Sequence, residues 1–324
     1  MGTPEFAVPA LEAVAERCDV VRVVTQPDRP RGRGRQLQPS AVAARASALG
    51  LPVEKPESMR APEVSAALAA LAPELFAVVA FGAILSPGLL AIPKLGSINL
   101  HGSLLPAHRG ASPVQRALWN GEPWTGVTTL WMDEGIDTGD AIMQRWAPIA
   151  PDDDAGSLTA KLAALGAPLL AESLTLAHAG RAPRHPQDRA AGSYAGKLAK
   201  ADGAIDWSLD AVTVWNHARA VTPWPGATTV CDGRSVRVAR CAPVSLLPAD
   251  AAPGTVLGIE GKALRVACGR GVLALARVRP EGRAEMDAAD WARGARVVGA
   301  TMGDGSDAER PPAPRGGNVK EAHA

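Results

Sequence analysis

Residues 97–142 have the sequence SINLHGSLLPAHRGASPVQRALWNGEPWTGVTTLWMDEGIDTGDAI, and the rest of the chain can be placed around them. The segment begins with a predicted strand on which Asn99 and His101 stand two residues apart, so both side chains point to one face. They lie at the carboxyl end of that strand, where open parallel sheets bind ligands. Asp137 follows in a Gly-Ile-Asp-Thr-Gly turn that closes the next β unit. An amide, an imidazole and a carboxylate are therefore expected at one edge of a sheet.

These three groups are suited to acyl-type transfer. An amine that attacks a formyl carbon forms a tetrahedral oxyanion, to which the Asn99 amide and a protonated His101 can both donate hydrogen bonds. Asp137 can orient the imidazole and favour its charged form, and His101 or a bound water can return a proton to the departing nitrogen. Each residue alone also fits a structural role. The histidine can serve packing, the aspartate can serve turn geometry, and the asparagine can form hydrogen bonds with backbone groups.

The first 180 residues alternate between predicted strands and predicted helices. Helices are expected from about residue 5, after Ser40 as an N-cap, from Pro62, and across 151–180, where an acidic start suits the helix dipole. This alternation favours an α/β fold with a mostly parallel sheet covered on both faces. The predicted strands are VVRVVT (20–25), LFAVVAF (75–81), GSINLH (96–101) and TGVTTLWM (125–132).

The chain changes character after residue 180. Residues 181–204 begin with RAPRHPQDRAAG and are predicted to be a linker between domain 1–180 and domain 205–302. Short strands separated by glycine turns favour a small β-barrel in the second domain. Residues 303–324 have the composition of a disordered tail. The predicted strands of the barrel lie at 227–231, 235–244, 263–268 and 271–279.

Charge is unevenly distributed along a chain whose net charge is only +1. Residues 1–180 hold 14 basic and 18 acidic side chains, whereas residues 181–300 hold 17 and 11. A basic second half favours a domain that binds a polyanion, although a chance surface imbalance gives the same numbers.

Several classes of protein are disfavoured by the sequence. The N-terminus does not resemble a signal peptide, and no apolar run approaches the roughly 20 residues that span a bilayer, so we expect a cytoplasmic protein away from membranes. The four cysteines form no C-x-x-C pair. His101, His108 and Asp137 match no metal-site spacing, so no metal is expected. No G-x-G-x-x-G follows a predicted strand, which argues against a nucleotide-linked dehydrogenase.

The segment 97–142 resembles the signature of the folate-dependent formyltransferases: Asn-x-His, then SLLP-x-x-RG, then a downstream GxDTG. Other stretches are similar to those members of the family that act on methionyl-tRNA. These stretches are GTPEFAVPAL (2–11), TQPDRPRGRGRQLQPS (25–40), SYAGKLAKADGAIDW (193–207) and RAVTPWPGA (219–227).

The resemblance implies a Rossmann-like first domain and an OB-like C-terminal barrel that grips tRNA. It implies that Asn99, His101 and Asp137 are the catalytic trio, and that 10-formyltetrahydrofolate is the donor and methionyl initiator tRNA the acceptor. A monomer is expected. The loop implied to bind the folate is Ser103, Leu104, Leu105 and Pro106.

The stretch RPRGRGR (29–35) is a candidate tRNA-binding arm. Arginines interleaved with glycines make a flexible cationic segment suited to phosphates, although a solvated surface loop is the alternative. The resemblance implies that this loop enters the acceptor-stem region and that Arg33 matches its key arginine. The candidate tRNA contacts are Arg29, Arg31, Arg33, Arg35, Lys197 and Lys200.

The chain departs from the family pattern at two places. Members of the family have an apolar strand before GTPEF, and this chain has only Met1 there; we expect that translation starts upstream and supplies a central strand. Ala107 and His108 stand where the family usually has a basic or aromatic residue, which is expected to shift the packing of the folate loop.

Two other functions stay open at this point. A formyltransferase for a small amine, such as a ribonucleotide or an amino sugar, shares the chemistry, but the extra basic domain argues for tRNA. A non-catalytic tRNA-binding protein with a decayed enzyme domain is the other alternative, and the intact trio argues against it.

Overall fold

A computed structural model describes residues 1–31, 36–188 and 190–303, and of Arg31 the backbone alone. Arg33, Arg35 and residues 304–324 of the predicted tail lie outside these ranges. The chain folds as two compact units. The first unit comprises Met1–Ala117 and Glu122–Lys197, and the second comprises Leu118–Gly121 and the chain from Leu198 onward.

The first unit alternates strands and helices as predicted, and a 3₁₀ turn, Glu5–Ala7, precedes its first helix. The helices up to residue 178 are α1 (Val8–Ala15), α2 (Ala41–Ala48), α3 (Pro62–Ala70), α4 (Pro87–Leu90), α5 (Pro113–Trp119) and α6 (Ala155–His178). The strands are β1 (Val23–Val24), β2 (Arg29–Arg31), β3 (Gln36–Gln38), β4 (Val53–Glu54), β5 (Phe76–Val78), β6 (Ser97–His101), β7 (Trp124–Trp131) and β8 (Ala141–Pro148).

The strands of this unit form mixed sheets rather than one mostly parallel sheet. β1 pairs with β4 and β5 pairs with β6 in parallel, whereas β6, β7 and β8 run antiparallel. The short connection between β7 and β8, residues 132–140, accounts for the antiparallel direction of that pair, because a parallel crossover needs a dozen or more residues. The α/β class is confirmed. The parallel pairs, β1 with β4 and β5 with β6, are formed by strands that precede β7.

The first two residues join β1 to β5. The Gly2 amide donates to the Val24 carbonyl over 3.1 Å, and the Val79 amide donates to the Met1 carbonyl over 2.9 Å. Beside Met1, a cavity of about 580 Å³ lies between these strands. The α-amine of Met1 donates to the Ala77 carbonyl over 2.6 Å, and burial lowers its pKa to about 5.

Polar side chains cap the N-termini of α2 and α6. Ser40 Oγ accepts a hydrogen bond from the Ala43 amide over 3.0 Å and so caps α2, as predicted. Asp154 and Ser157 form a capping box at the start of α6. Of the helices in the described ranges, α6 is the one that is long and apolar enough to cross a membrane. Its buried side chains pack on α1 and on β6 to β8, as those of a core helix do.

The second unit is built on one antiparallel sheet with the strand order β11–β12–β13–β10–β9, and β14 pairs with β13. Its core includes Leu264, Leu273, Leu275 and Trp291. In the described part of the chain the edge strands β9 and β11 do not pair, so the structure establishes an antiparallel sheet domain, and the barrel stays a prediction. The elements are α7 (Ala211–Ala220), β9 (Ala227–Cys231), β10 (Arg234–Ser245), β11 (Val256–Glu260), β12 (Ala263–Ala267), β13 (Val272–Pro280), β14 (Met286–Asp287) and α8 (Ala288–Ala295), with a 3₁₀ turn at Lys200–Gly203.

Candidate active site

Asn99, His101 and Asp137 meet at the carboxyl end of β6. The period of the strand places the first two on one face, and the turn between β7 and β8 carries the carboxylate to them. Asn99 Nδ2 donates to Asp137 Oδ1 over 3.0 Å, and His101 Nδ1 lies 3.4 Å from Asp137 Oδ2. The imidazole is buried, whereas Asn99 and Asp137 are partly exposed. The geometry therefore brings the three predicted groups together beside solvent.

The Asp137 carboxylate is held by a turn of unusual backbone conformation. Asp137 has a φ of +55°, in the left-handed region. Its Oδ2 also accepts a hydrogen bond from the Gly110 amide over 2.8 Å. A side chain on Gly139 would place Cβ 1.9 Å from the Trp131 carbonyl oxygen, so the turn can close only with glycine at that position. The glycine of the D-T-G sequence is thus explained by steric contact.

The second ring nitrogen of His101 has a partner that sequence reasoning missed. Nε2 lies 2.9 Å from the His108 carbonyl oxygen. His108 itself is buried and left-handed, with a φ of +58°, and its Nε2 lies 2.7 Å from Glu122 Oε1. Every residue has a backbone carbonyl, so the residue type at position 108 does not indicate that its carbonyl reaches His101. The direction of that carbonyl depends on the φ of His108. Both nitrogens of His101 therefore face acceptor oxygens.

The predicted folate loop crosses the same face of the sheet. Ser103 and Leu105 are buried, whereas Leu104 and Pro106 are partly exposed. The Leu105 amide donates to Thr128 Oγ1 over 3.0 Å, and that hydroxyl donates to the Ser103 carbonyl over 2.7 Å.

Two more residues fix this loop, and no pattern in the sequence indicates their role. Gln144 Nε2 donates to the Leu105 carbonyl over 2.7 Å. Gly126 leaves room for Leu104, because a Cβ there would lie 2.6 Å from Leu104 Cδ2. The strands under the loop thus hold its backbone and leave Leu104 and Pro106 to present apolar surface.

Part of the predicted linker lies against the site. Residues up to Lys197 belong to the first unit. Within this stretch, Gln187 contacts the turn of Asp137, and Ser193 Oγ accepts a hydrogen bond from the His108 amide over 2.9 Å. The boundaries that the sequence predicts for the domains stay predictions.

The basic residues predicted to bind tRNA lie at several places in the chain. Arg29 is exposed on β2, which pairs with β3, and Arg31 ends β2. Lys197 is exposed at the end of the first unit, and Lys200 is exposed in the second unit. Their contact with tRNA stays a prediction.

Most of the chain matches known proteins. Residues 2–174 match the family model described as "Formyl transferase", and residues 197–296 match "Formyl transferase, C-terminal domain". The chain belongs to the formyltransferase family. The methionyl-tRNA formyltransferase of Geotalea uraniireducens is 45% identical over 299 residues, which cover 92% of this chain and 95% of the relative. That of Symbiobacterium thermophilum is 46% identical over 317 residues, or 97% of each chain.

A solved member of the family shares the fold. The N-formyltransferase from Helicobacter canadensis, in complex with folinic acid and dTDP-3-aminofucose, has a TM-score of 0.63 against this chain. The alignment covers 85% of this chain and 96% of that formyltransferase at 18% identity. The resemblance that residues 97–142 indicate is confirmed by the family models and by the full-length relatives.

Proposed function

We propose that this formyltransferase moves the formyl group of 10-formyltetrahydrofolate onto the amino group of methionine carried by initiator tRNA, for translation initiation in the cytoplasm. The observation that carries the proposal is the contact of Asn99, His101 and Asp137 at the end of β6. It is supported by full-length relatives that are named methionyl-tRNA formyltransferases.

The reaction forms one bond and breaks one. The methionine amine attacks the formyl carbon, and the new C–N bond leaves a tetrahedral oxyanion. One N–H of the Asn99 amide bonds Asp137, which leaves the second N–H to donate to that oxyanion. Collapse breaks the bond from the formyl carbon to folate N10, and the amine proton passes to N10 through His101 or a bound water. The products are formylmethionyl-tRNA and tetrahydrofolate.

His101 takes part through its ring hydrogens. A carboxylate oxygen lies 3.4 Å from Nδ1 and a carbonyl oxygen lies 2.9 Å from Nε2, so a ring with a hydrogen on both nitrogens faces an acceptor on each side. A ring in that state places a positive charge beside the oxyanion. When Nε2 donates to the substrate, it gives up its hydrogen bond to the His108 carbonyl. Asp137 keeps the ring oriented while the partner of Nε2 changes.

The folate loop fits a formyl donor that carries aromatic rings. Leu104 and Pro106 supply partly exposed apolar surface near the trio, and Ser103 keeps the loop closed by donating from Oγ to the Ala107 carbonyl over 2.6 Å. Ser103 and Leu105 act on the folate through the shape of the loop, because both side chains are buried.

The second unit binds tRNA as an OB-like barrel. Thr301 bridges to Thr255 beside β11, and Met302 bridges to Cys231 of β9, so one short segment spans the gap between the edge strands. The basic balance of residues 181–300 suits a polyanion. The tRNA phosphates are contacted by Arg29, Arg31, Arg33, Arg35, Lys197 and Lys200 of a monomer.

A substrate panel tests the proposed function. The full chain is incubated with 10-formyltetrahydrofolate and either methionyl initiator tRNA, a ribonucleotide amine or an amino-sugar nucleotide, and formylated product is counted. We expect formylmethionyl-tRNA to be the main product. Transfer to a small amine alone, or tRNA binding with no transfer to any acceptor, would overturn the proposal in favour of one of the two alternatives above.

The basic arm has its own test. Arg33→Ala is expected to weaken tRNA binding and to reduce its salt dependence by about one counterion, while folate affinity stays unchanged. Binding is measured by filter retention at several salt concentrations, with Arg17→Ala as a charge-matched control outside the arm. Equal affinities for wild type and Arg33→Ala at every salt concentration would remove the arm from the tRNA interface.

A further inference from the structure

The stretch predicted as a linker is tied to both loops of the site. We call residues 183–188 and 190–195 the strap. His185 and Ala141 exchange two backbone hydrogen bonds of 2.9 Å, so the strap adds to the sheet at the start of β8. Farther along, the Arg109 amide donates to the Ser193 carbonyl over 2.9 Å, and the Ala195 amide donates to the Arg109 carbonyl over 2.7 Å. The strap therefore connects the turn that carries Asp137 to the loop that follows His101.

Gln187 is the side chain through which the strap reaches that turn. Its Nε2 donates to the carbonyl oxygens of Asp137, over 2.9 Å, and Gly139, over 2.7 Å. Its Oε1 accepts from the Arg109 guanidinium, from Nε over 3.1 Å and from Nη2 over 2.9 Å. Both donors and both acceptor positions of the carboxamide are thus engaged.

These bonds act on the backbone that aims the Asp137 carboxylate. Asp137 is left-handed, a conformation that persists only where its surroundings hold it. From that backbone, the carboxylate reaches Asn99, His101 and the Gly110 amide. A movement of the turn therefore moves the carboxylate away from all three partners at once.

We propose that Gln187 is a positioning residue for formyl transfer: it clamps the turn 137–139 to Arg109 and so fixes the Asp137 carboxylate that orients His101 and Asn99. The kinetic consequence rests on the proposed function. The positional consequence belongs to the free protein and can be measured without substrate.

The chemistry of the carboxamide separates clamping from mere packing. The Gln187→Glu variant keeps an acceptor for Arg109, but its ionised carboxylate has no hydrogen to donate to the two carbonyls of the turn. Gln187→Ala removes both sides of the contact. His185→Gln is the matched control, because His185 lies on the strap with an exposed side chain and its backbone bonds remain.

The first measurement is amide hydrogen exchange in the free protein. The Gly110 amide reports the carboxylate directly, because it donates to Asp137 Oδ2. We expect Gln187→Ala and Gln187→Glu to speed exchange at Gly110 and across residues 134–140 by about tenfold or more, with His185→Gln unchanged. Unchanged protection at Gly110 in Gln187→Ala would overturn the proposal, whatever the activity. Wild-type protection in Gln187→Glu alone would show that the contact with Arg109 suffices and would overturn the clamp.

The second measurement is the division of the kinetic effect between kcat and KM. Both Gln187 variants are expected to lower kcat by about 10- to 100-fold, with KM for either substrate within about twofold of the wild type. In an Asp137→Asn background, Gln187→Ala is expected to add less than about a twofold loss, because the two residues act through one carboxylate. A full additional loss in that background would overturn the proposal. If the wild-type protein transfers no formyl group but the Gln187 variants show the expected changes in hydrogen exchange, only the proposed function is defeated.

Discussion

Asp137 stands in a backbone conformation that few residue types tolerate. With φ at +55°, its left-handed region favours Asn and Asp over other side chains that carry a Cβ, because their short polar groups bond locally. Asp137→Asn keeps a side chain that tolerates this φ but turns an N–H group toward one of the two donors, so we expect a loss of about 1–2 kcal/mol in the free energy of unfolding, and Asp137→Ala to lose about 1–2 kcal/mol more. Urea denaturation at pH 7 measures both, and equal stabilities of the two variants would contradict a held left-handed turn.

The sequence predicts the three side chains that the structure brings together at the end of β6. Asn99 and His101 share a face because strands have a period of two, and Asp137 is marked by its glycine turn. The partners of these residues are not predictable in the same way. His108 contributes a backbone carbonyl, which has no signature of residue type, and Gln187 lies 50 positions from the aspartate that it contacts.

At the scale of the element, β7 and the folate loop depend on one glycine. A Cβ on Gly126 would lie 2.2 Å from the Arg145 carbonyl oxygen and 2.6 Å from Leu104 Cδ2. Gly126→Ala is therefore expected to push the loop off the sheet and weaken folate affinity by roughly tenfold, about 1.4 kcal/mol. Fluorescence titration with tetrahydrofolate measures the affinity, and Gly88→Ala, whose Cβ would meet only Ser86 Oγ at 4.0 Å, is the control. Unchanged affinity would remove Gly126 from the shaping of the loop.

Helix α7 begins with an aspartate whose charge matters for stability. Asp210 Oδ1 accepts hydrogen bonds of 3.0 Å from the amides of Val212 and Thr213, and the Thr213 hydroxyl is the main cause of the lowered pKa of this carboxyl group. Asp210→Ala is expected to cost about 1 kcal/mol at pH 7.

The pH dependence of this cap follows from the direction of its pKa shift. Because the pKa is lowered in the folded state, the contribution is present above the ordinary value of 3.8 and is lost as the pH falls below it. The difference between wild type and Asp210→Ala should therefore shrink between pH 5 and about pH 2, which urea unfolding at both pH values measures. Asp250→Ala, at an exposed position of the same unit, is the control. A difference that does not change with pH would contradict a charged cap.

Elements with a strong local signal are those that the sequence predicts well. β9 spans Ala227–Cys231 as predicted, because its buried and partly exposed positions alternate, and α2 starts after its serine cap. β8 has no such pattern: Gln144, Arg145 and Trp146 are all exposed, so the strand is visible only through its pairing with β7. The direction of the β7–β8 pair also escaped prediction, because it depends on the length of the connection rather than on the residues of either strand.

At the scale of the whole molecule, the α-amine of Met1 makes stability depend on pH in a chain that begins at this residue. Burial lowers the pKa of the Met1 α-amine from 8.0 to about 5, so between these values the unfolded chain holds a proton that the folded chain has released. The free energy of unfolding of a chain with a free amine at Met1 should therefore fall by a few kcal/mol as the pH falls from 8 to 5. Urea unfolding across this range measures the slope, and the same chain acetylated at Met1 is the control. Equal slopes for the two forms would contradict a buried amine.

Single-turnover formyl transfer from 10-formyltetrahydrofolate to methionyl initiator tRNA tests whether the trio carries the reaction. It compares the wild type with Asn99→Ala, His101→Ala and Asp137→Asn, singly and combined, after each variant is shown to be folded. We predict that His101→Ala slows transfer by about 10²-fold or more, and that the triple variant is no more than a few times slower than the slowest single one, because the three groups act as a unit. Transfer by the triple variant at the wild-type rate would show that the chemistry lies elsewhere.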